Sequence, residues 1–488
     1  MLISTLKMLI MLYHNLPQIS IVTGLDLMLG TTLIAGSGTD KNAKPNIMII
    51  IADDCTYRDL PLYGGQNVKT VNIDRLASQG LTFNNAFVSM SMSVPCRASL
   101  YTGLYPVSHG VCWNHVPART GTKSIVQYLG ALGYRTGLAG KIHASPRTVF
   151  PFEMVEGLER DCVAQTAGFD TGEMEKFITR DDRNPFCMIA ALVVPHVPWT
   201  VGDPSHFDPQ SLILPSFVAD TKEMRKQYTS YLAEIEVLDQ QVGAIMDLLN
   251  KTGKKDNTIV LFTSEQGSQM PGCKWTNWNT GVHTGFIVVW PGRIKENERT
   301  DALIQYEDVL PTLIEAAGGK INPGSFQGTS FLPVLHDKKS THRQYAYFMH
   351  NNNPEGPPYP IRSVSDGMYH YIRNLRPENL YIEKHLMARM TPNEYWLSWI
   401  FESPNDERTY NLVMRYMKRP AEELYRIDTD PEEMNNLIGN QDLSDVKKRL
   451  SDELDTWMRE QGDPGAEIDT KEVWTNASKG NHFNKKAY

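Results

Sequence analysis

The chain reads as an α/β protein, with a mostly parallel sheet sandwiched by helices and a smaller α+β subdomain containing an antiparallel sheet. Three observations lead there. Runs at residues 47–52, 134–139, 187–194 and 258–263 are apolar with little alternation, the pattern of strands buried on both faces of a parallel sheet. Residues 222–249 carry Tyr231, Leu232, Ile235, Leu238, Val242, Ile245 and Leu248 at helical spacing, which supplies a crossover helix. From about residue 340 short alternating segments such as 345–348 and 368–372 take over, which favours antiparallel pairing. The 488 residues, 41% of them hydrophobic, suffice for one large domain at 41–340 and a smaller part at 341–488, behind a leader of 1–40.

Composition narrows the function. The net charge is −8 and there are no long basic runs, which argues against nucleic-acid binding. Cysteines 55, 96, 112, 162, 187 and 273 are scattered without a C-x-x-C pair, so spacing indicates neither a zinc site nor a dense disulfide framework; one or two disulfides are compatible with export. Lys7 is the only Lys or Arg before Lys41, and an apolar run over 19–35, broken by Asp26, ends in Ala35-Gly36-Ser37. This resembles a secretory signal with an extended front end, and it predicts export to the bacterial periplasm. A membrane-associated or disordered leader is the alternative. No later stretch is apolar over a bilayer's width, so no integral membrane domain is expected.

Taken in order, the strand at 47–52 (I-M-I-I-I-A) ends abruptly in Asp53-Asp54. Ligands of open parallel sheets gather beyond the carboxyl ends of the strands. Two adjacent carboxylates there repel each other unless a cation joins them; a turn or helix cap is the alternative reading. Residues 72–79 read as a capped helix, followed by F-N-N-A-F at 83–87. Residues 91–103, S-M-S-V-P-C-R-A-S-L-Y-T-G, pass from a Ser-rich loop into a helix expected to start at Cys96 or Arg97, because Pro is tolerated at a helix start. Ser93 then faces the positive end of the helix dipole with Arg97 one turn on, an arrangement that cradles an anion. An amphipathic helix is expected over 124–132.

Three further strands end in polar groups: 134–139 in Gly140-Lys141-Ile142-His143, 187–194 in Pro195-His196-Val197-Pro198, and 258–263 in Ser264-Glu265-Gln266-Gly267. In a parallel sheet these ends share one edge and form one site. Lys274 lies in a polar, Trp-rich loop before an apolar strand at 286–290. An amphipathic helix over 443–458 closes the chain, ahead of a polar tail after Gly462.

The pattern S-x-P-x-R-x-x-L-x-T-G at 93–103 resembles the signature of type I sulfatases, whose first residue is oxidised to formylglycine. The stretches D-R-L-A-S at 74–78, G-K-I-H-A-S-P-R-T-V-F-P-F at 140–152 and Y-P-I-R-S-V at 359–364 are similar to the heparan N-sulfatase branch. E-L-Y-x-x-x-x-D-P-x-E-x-x-N-L at 423–437 resembles a sulfatase closing segment. The resemblance covers about residues 45–458. It implies an alkaline-phosphatase-like fold, a sulfated saccharide substrate, a formylglycine made from Ser93, and one Ca2+ on Asp53, Asp54, modified Ser93, Glu265 and Gln266. Such an all-oxygen set suits a hard cation. It also implies that Arg97, Lys141, His143, His196 and Lys274 contact the sulfate and the nucleophile. His196 would be the acid for the leaving group, and His143 would take the nucleophile's proton. One hydroxyl of the hydrated aldehyde attacks sulfur, and loss of the other's proton expels sulfate.

Three positions depart from the pattern. Ser93 replaces the commoner Cys, which implies a serine-accepting sulfatase-maturating enzyme as partner. Cys96 stands where a small Ser or Ala is usual and reads as a buried filler. Glu265-Gln266 replaces Asp with Asn or His. His109, His115, Arg147 and His350 are candidates for reaching the sugar. A phosphatase or phosphonate hydrolase on the same fold, and a sulfoglycan-binding protein with Ser93 unmodified, are the alternative functions.

Overall fold

In β1 (Asn46–Ala52) every residue after Asn46 is sealed from solvent, and the reason is a two-sided core. Met48, Ile50 and Ala52 join one apolar cluster, which also takes side chains of the helices Val71–Ser78, Gly172–Thr179 and Lys222–Lys251. Ile47, Ile49 and Ile51 join another, shared with the helices Ser93–Thr102, Ile125–Gly130 and Val309–Ala316. Burying a large aliphatic side chain contributes about 1.5–3 kcal/mol, so β1 alone anchors both layers. The computed structural model describes residues 44–387 and 394–478; the leader expected at 1–40 lies outside them.

The other strands of the large sheet are β2 (Leu81–Phe87), β3 (Arg135–Gly140), β4 (Glu153–Val155), β5 (Phe186–Ala191), β6 (Thr258–Ser264), β7 (Phe286–Val289) and β8 (Glu298–Gln305). Their order is β4-β3-β5-β1-β6-β7-β2-β8, and only β7 runs against the rest. Its direction has a physical cause. Between β6 and β7 the chain forms only the short helix Asn279–Val282 and never crosses a face of the sheet, so it re-enters from the edge it left. The second sheet, β9 (Ala346–His350), β10 (Ile361–Ser365), β11 (Tyr369–Asn374) and β12 (Glu422–Arg426), is antiparallel in the order β12-β11-β10-β9. The helix Ser444–Gln461 buries Leu450, Leu454 and Trp457 in the core that this sheet shares. No helix among the described residues is long and apolar enough to cross a membrane. All six cysteines are free thiols, so the disulfides that export would have allowed are not formed.

The helix expected from Cys96 or Arg97 begins at Ser93 instead. The first helical amides have no intrahelical acceptor, so Pro95 fits anywhere in the first turn; the Cys96 amide then bonds the Met92 carbonyl at 3.0 Å. The helix Val71–Ser78 is capped, but by a distant residue. Asp239, buried on the long helix, accepts from the amides of Asn72 (2.9 Å) and Ile73 (2.8 Å). Asp239→Ala is therefore expected to lower stability by about 1–3 kcal/mol, read as a lower urea midpoint at unchanged slope.

Candidate active site

The strands β3, β5, β1 and β6 are parallel neighbours, and their carboxyl ends open onto one edge. Backbone bonding continues past the strands and fixes where each side chain emerges. The amide of Asp53 donates to the Val194 carbonyl (3.1 Å), that of Lys141 to Ala191 (2.9 Å) and that of Glu265 to Ala52 (3.0 Å). Gly140 turns the chain at φ +90°, where a Cβ would lie 2.1 Å from the Ala191 carbonyl oxygen. That close approach requires glycine ahead of Lys141. Asp54 adopts φ 60°, a left-handed conformation that Asp tolerates better than most residues.

These turns bring six ionisable side chains together out of water. The Lys141 ammonium donates to both oxygens of Asp53 (2.8 and 2.6 Å) and to the Ser93 hydroxyl (3.1 Å). Ser93 in turn donates to Glu265 Oε2 at 2.7 Å. Arg97, one helical turn beyond, pairs through Nε with Glu265 Oε1 and through Nη1 with the Lys141 carbonyl (2.8 Å). Lys274 donates to Asp54 Oδ2 at 2.6 Å, and Gln266 Nε2 donates to Asp54 Oδ1 at 2.6 Å. Burial by itself would strip Lys141 and Lys274 of their protons, but Asp53 and Asp54 outweigh it and hold both ammoniums above the ordinary lysine range. Burial raises the Glu265 carboxyl against the pull of Arg97, and Asp53 raises it further.

This cluster also fits a hard cation. Asp53, Asp54 and Glu265 offer carboxylate oxygens that all lie within 4.8 Å of one another. The Gln266 amide oxygen is buried with no partner, as is Arg97 Nη2, the first an acceptor for a cation and the second a donor for an anion.

Two histidines stand over it. His196 Nδ1 lies 2.6 Å from the Val197 carbonyl, which can only accept, so Nδ1 carries a proton. Its Nε2 is 3.4 Å from Asp54 Oδ2 and from the Lys274 ammonium. His143 is pushed well below the ordinary imidazole range by burial, with Lys141 and Arg97 adding to the effect; it is neutral. Ser93, His143, His196 and Lys274 line one cavity of about 280 Å³. Asn114, His115, Cys162, Gln269, Trp275, Glu355 and His385 also line it, with Val163, Val197 and Pro198 as its aliphatic part. Of the four sugar-reaching candidates, only His115 is there. Arg147 is exposed elsewhere; His109 and His350 are core residues bonded to Ser99 (3.2 Å) and to Asn352 (3.5 Å), each pushed down to about 3 chiefly by burial.

Residues 45–319 match the family model described as Sulfatase. The chain belongs to the sulfatase family. Members of that family act through a formylglycine and a metal ion. A second model, described as N-sulphoglucosamine sulphohydrolase, C-terminal, matches residues 274–385 of this sulfatase. The sequence is 31% identical to an ulvan-active sulfatase of Formosa agariphila over 86% of this chain and 81% of that one. It is 26% identical to the N-sulphoglucosamine sulphohydrolase of Homo sapiens, over 86% and 91%. Among solved structures, one described as bound to its substrate D-glucosamine-2-N,6-O-disulfate superposes with a TM-score of 0.66 at 20% identity, over 86% of this chain and 99% of that one. The eight-stranded sheet is thus the alkaline-phosphatase-like sheet of sulfatases.

The closing motif of the sulfatase holds the loop that carries Lys274. Glu423 accepts from Trp278 Nε1 (2.9 Å) and Glu433 from the Asn279 amide (2.7 Å). Asn277 bonds Ser363 (3.1 Å), and the guanidinium groups of Arg415 and Arg419 lie 3.9 and 4.1 Å from the Trp278 ring centre. Cys96 donates to the Glu265 carbonyl at 3.4 Å, and burial drives its thiol well above the ordinary range, so it is inert. Ser93→Ala should therefore abolish sulfatase turnover while leaving the melting curve intact. Cys96→Ser should keep full turnover and shift stability by less than about 1 kcal/mol; loss of activity in the second variant with survival in the first would reverse the assignment.

Proposed function

We propose that this sulfatase hydrolyses sulfate from a sulfated amino sugar at the non-reducing end of a glycan, after export and after conversion of Ser93 to formylglycine by a serine-accepting maturating enzyme. One observation carries the substrate. The wall facing Ser93 includes Lys274, Trp275, Glu355 and His385, all within the segment similar to the C-terminal model of N-sulphoglucosamine sulphohydrolases. A cavity of about 280 Å³, near the lower end for small-molecule sites, supports a single sugar residue at a chain end.

A formylglycine at position 93 supplies, when hydrated, a hydroxyl pair that lets sulfate leave without a second displacement at sulfur. A Ca2+ on Asp53, Asp54, Glu265, Gln266 and residue 93 supplies polarisation of the sulfuryl oxygens and a lower pKa for the nucleophilic hydroxyl. The chain's own residues do the rest. Lys141, 3.1 Å from the Ser93 oxygen, and Glu265, 2.7 Å from it, fix the nucleophile's position before substrate arrives. Lys274 faces the cavity and takes charge developing on the sulfuryl group. Neutral His143 accepts a proton from residue 93. His196, with Nδ1–H committed to Val197 and Nε2 3.4 Å from Asp54, delivers a proton from Nε2 to the leaving atom. A sulfamate nitrogen leaves only when protonated, so an N-sulfated substrate depends most on His196.

The bare site holds three carboxylates and three cationic groups. Adding a divalent cation leaves two positive charges, which attract the singly charged sulfate ester or sulfamate and match the sulfate dianion that is released. Chelation should accordingly remove turnover, with recovery on Ca2+ addition, and Asp54→Asn should lower kcat by about a hundredfold or more in a protein that still folds but melts at a lower temperature, since Lys274 loses its buried partner. Full activity in a sample shown to be metal-free would sink the cation's role. For the substrate, initial rates on N-sulfoglucosamine are expected to exceed those on its O-sulfated isomers. Cleavage of an O-sulfate with the N-sulfated sugar untouched would leave the sulfatase standing and remove the amino-sulfate reading.

A further inference from the structure

Cys162 plays no part in the mechanism above, yet it lines the active cavity, and none of the other five cysteines does. Its sulfur, a nitrogen of His196 and an oxygen of Asp53 all lie within 4.8 Å of one another. Sequence spacing hid this cluster, because its members sit more than a hundred residues apart at one end and thirty-four at the other. We infer that Cys162, His196 and Asp53 form a second metal site in the cavity wall, which takes a thiophilic divalent cation such as Zn2+ and thereby inhibits the enzyme.

The donor chemistry separates this site from the oxygen-only set beneath it. Thiolate and imidazole select Zn2+-like ions over Ca2+, and three protein ligands leave the fourth position for water. His196 is already prepared as a ligand. Its Nδ1–H donates to the Val197 carbonyl, the outer contact that metal-binding histidines make, and this leaves Nε2 as the coordinating atom. Lys141 bonds both oxygens of Asp53 but leaves each a further lone-pair site. Lys141 and His196 also favour the thiolate of Cys162, against the effect of burial. On binding, the thiol releases its proton to solvent and the sulfur donates to the metal.

The inhibitory consequence rests on the reading of His196 as the acid: coordination takes the Nε2 lone pair that carries the proton. Binding itself does not depend on that reading. The test is a Co2+ titration of the full chain with the oxygen site saturated by Ca2+, followed by near-ultraviolet absorption. The wild type should develop a thiolate-to-cobalt band that Zn2+ abolishes. Cys162→Ser and Cys162→Ala should show no band and should resist Zn2+ inhibition by at least about tenfold, each measured against its own zinc-free rate. Should both variants fail to fold, alkylation of the wild type by iodoacetamide, read by peptide mass spectrometry, replaces them, with Zn2+ expected to protect Cys162. Absence of the band in the wild type, its persistence in Cys162→Ser, or alkylation indifferent to Zn2+ overturns the site. Unchanged Zn2+ inhibition in a variant without the band overturns its inhibitory role. If no sulfate ester or sulfamate is turned over at all, the functional reading fails while the cobalt titration still decides the metal site.

Discussion

Asp53, Asp54 and Glu265 are buried against Arg97, Lys141 and Lys274, with none of the six more than 3% exposed. Removing one member of such a set leaves an uncompensated charge out of water, at a cost of about 3–5 kcal/mol. The six therefore stand or fall together, and they come from β1, β3, β6, the helix Ser93–Thr102 and the loop after β6. Strand order, helix entry and loop path are all constrained by the need to deliver these groups to one point. The reversed strand β7 follows from the same need, since the chain that brings Lys274 stays at the carboxyl edge.

Much of this was legible in the sequence because it is local. A run such as I-M-I-I-I-A needs two apolar faces whatever surrounds it, and the acids after it must then sit at a sheet edge. The four strand ends, the long helix and the antiparallel character beyond residue 340 follow by the same reasoning. The start of the Ser93 helix was misplaced because Pro was taken as a boundary, whereas its missing amide costs nothing throughout the first turn. The cap of the helix Val71–Ser78 was expected nearby but comes from Asp239.

The cavity wall was not legible, for a different reason. Cys162, Trp275 and Glu355 lie on loops and His385 on the short helix Lys384–Met387, all far from Ser93 in sequence, and no periodicity marks them. Glu355 becomes a fixed charge through His385 (2.6 Å), Lys384 (3.4 Å) and Asn114 (3.1 Å), all contributed by other segments. Histidines that look chemical in sequence can be ordinary core groups. His109 and His350 are buried, internally bonded and neutral, and nothing local distinguishes them from His143.

The buried ions are indifferent to what the sulfuryl group is attached to, so discrimination must come from the wall, and the two are joined by a single peptide. Lys274 turns inward to Asp54, while Trp275 turns to the wall and stacks on His385 with ring centres 5.6 Å apart. The two side chains stay together in the cavity, with the Lys274 ammonium 4.9 Å from the Trp275 ring centre, and Trp275 adopts φ 64°, a left-handed conformation that costs a bulky residue on the order of 1–3 kcal/mol. The offset comes from both sides of that residue. Its amide donates to the Ser91 carbonyl at 3.0 Å, two residues before Ser93, and its carbonyl accepts from the Tyr381 hydroxyl at 2.6 Å, from the C-terminal part of the chain. The C-terminal sheet and its closing motif thus reach the cavity through this loop: they hold the strained turn that carries Lys274 and Trp275.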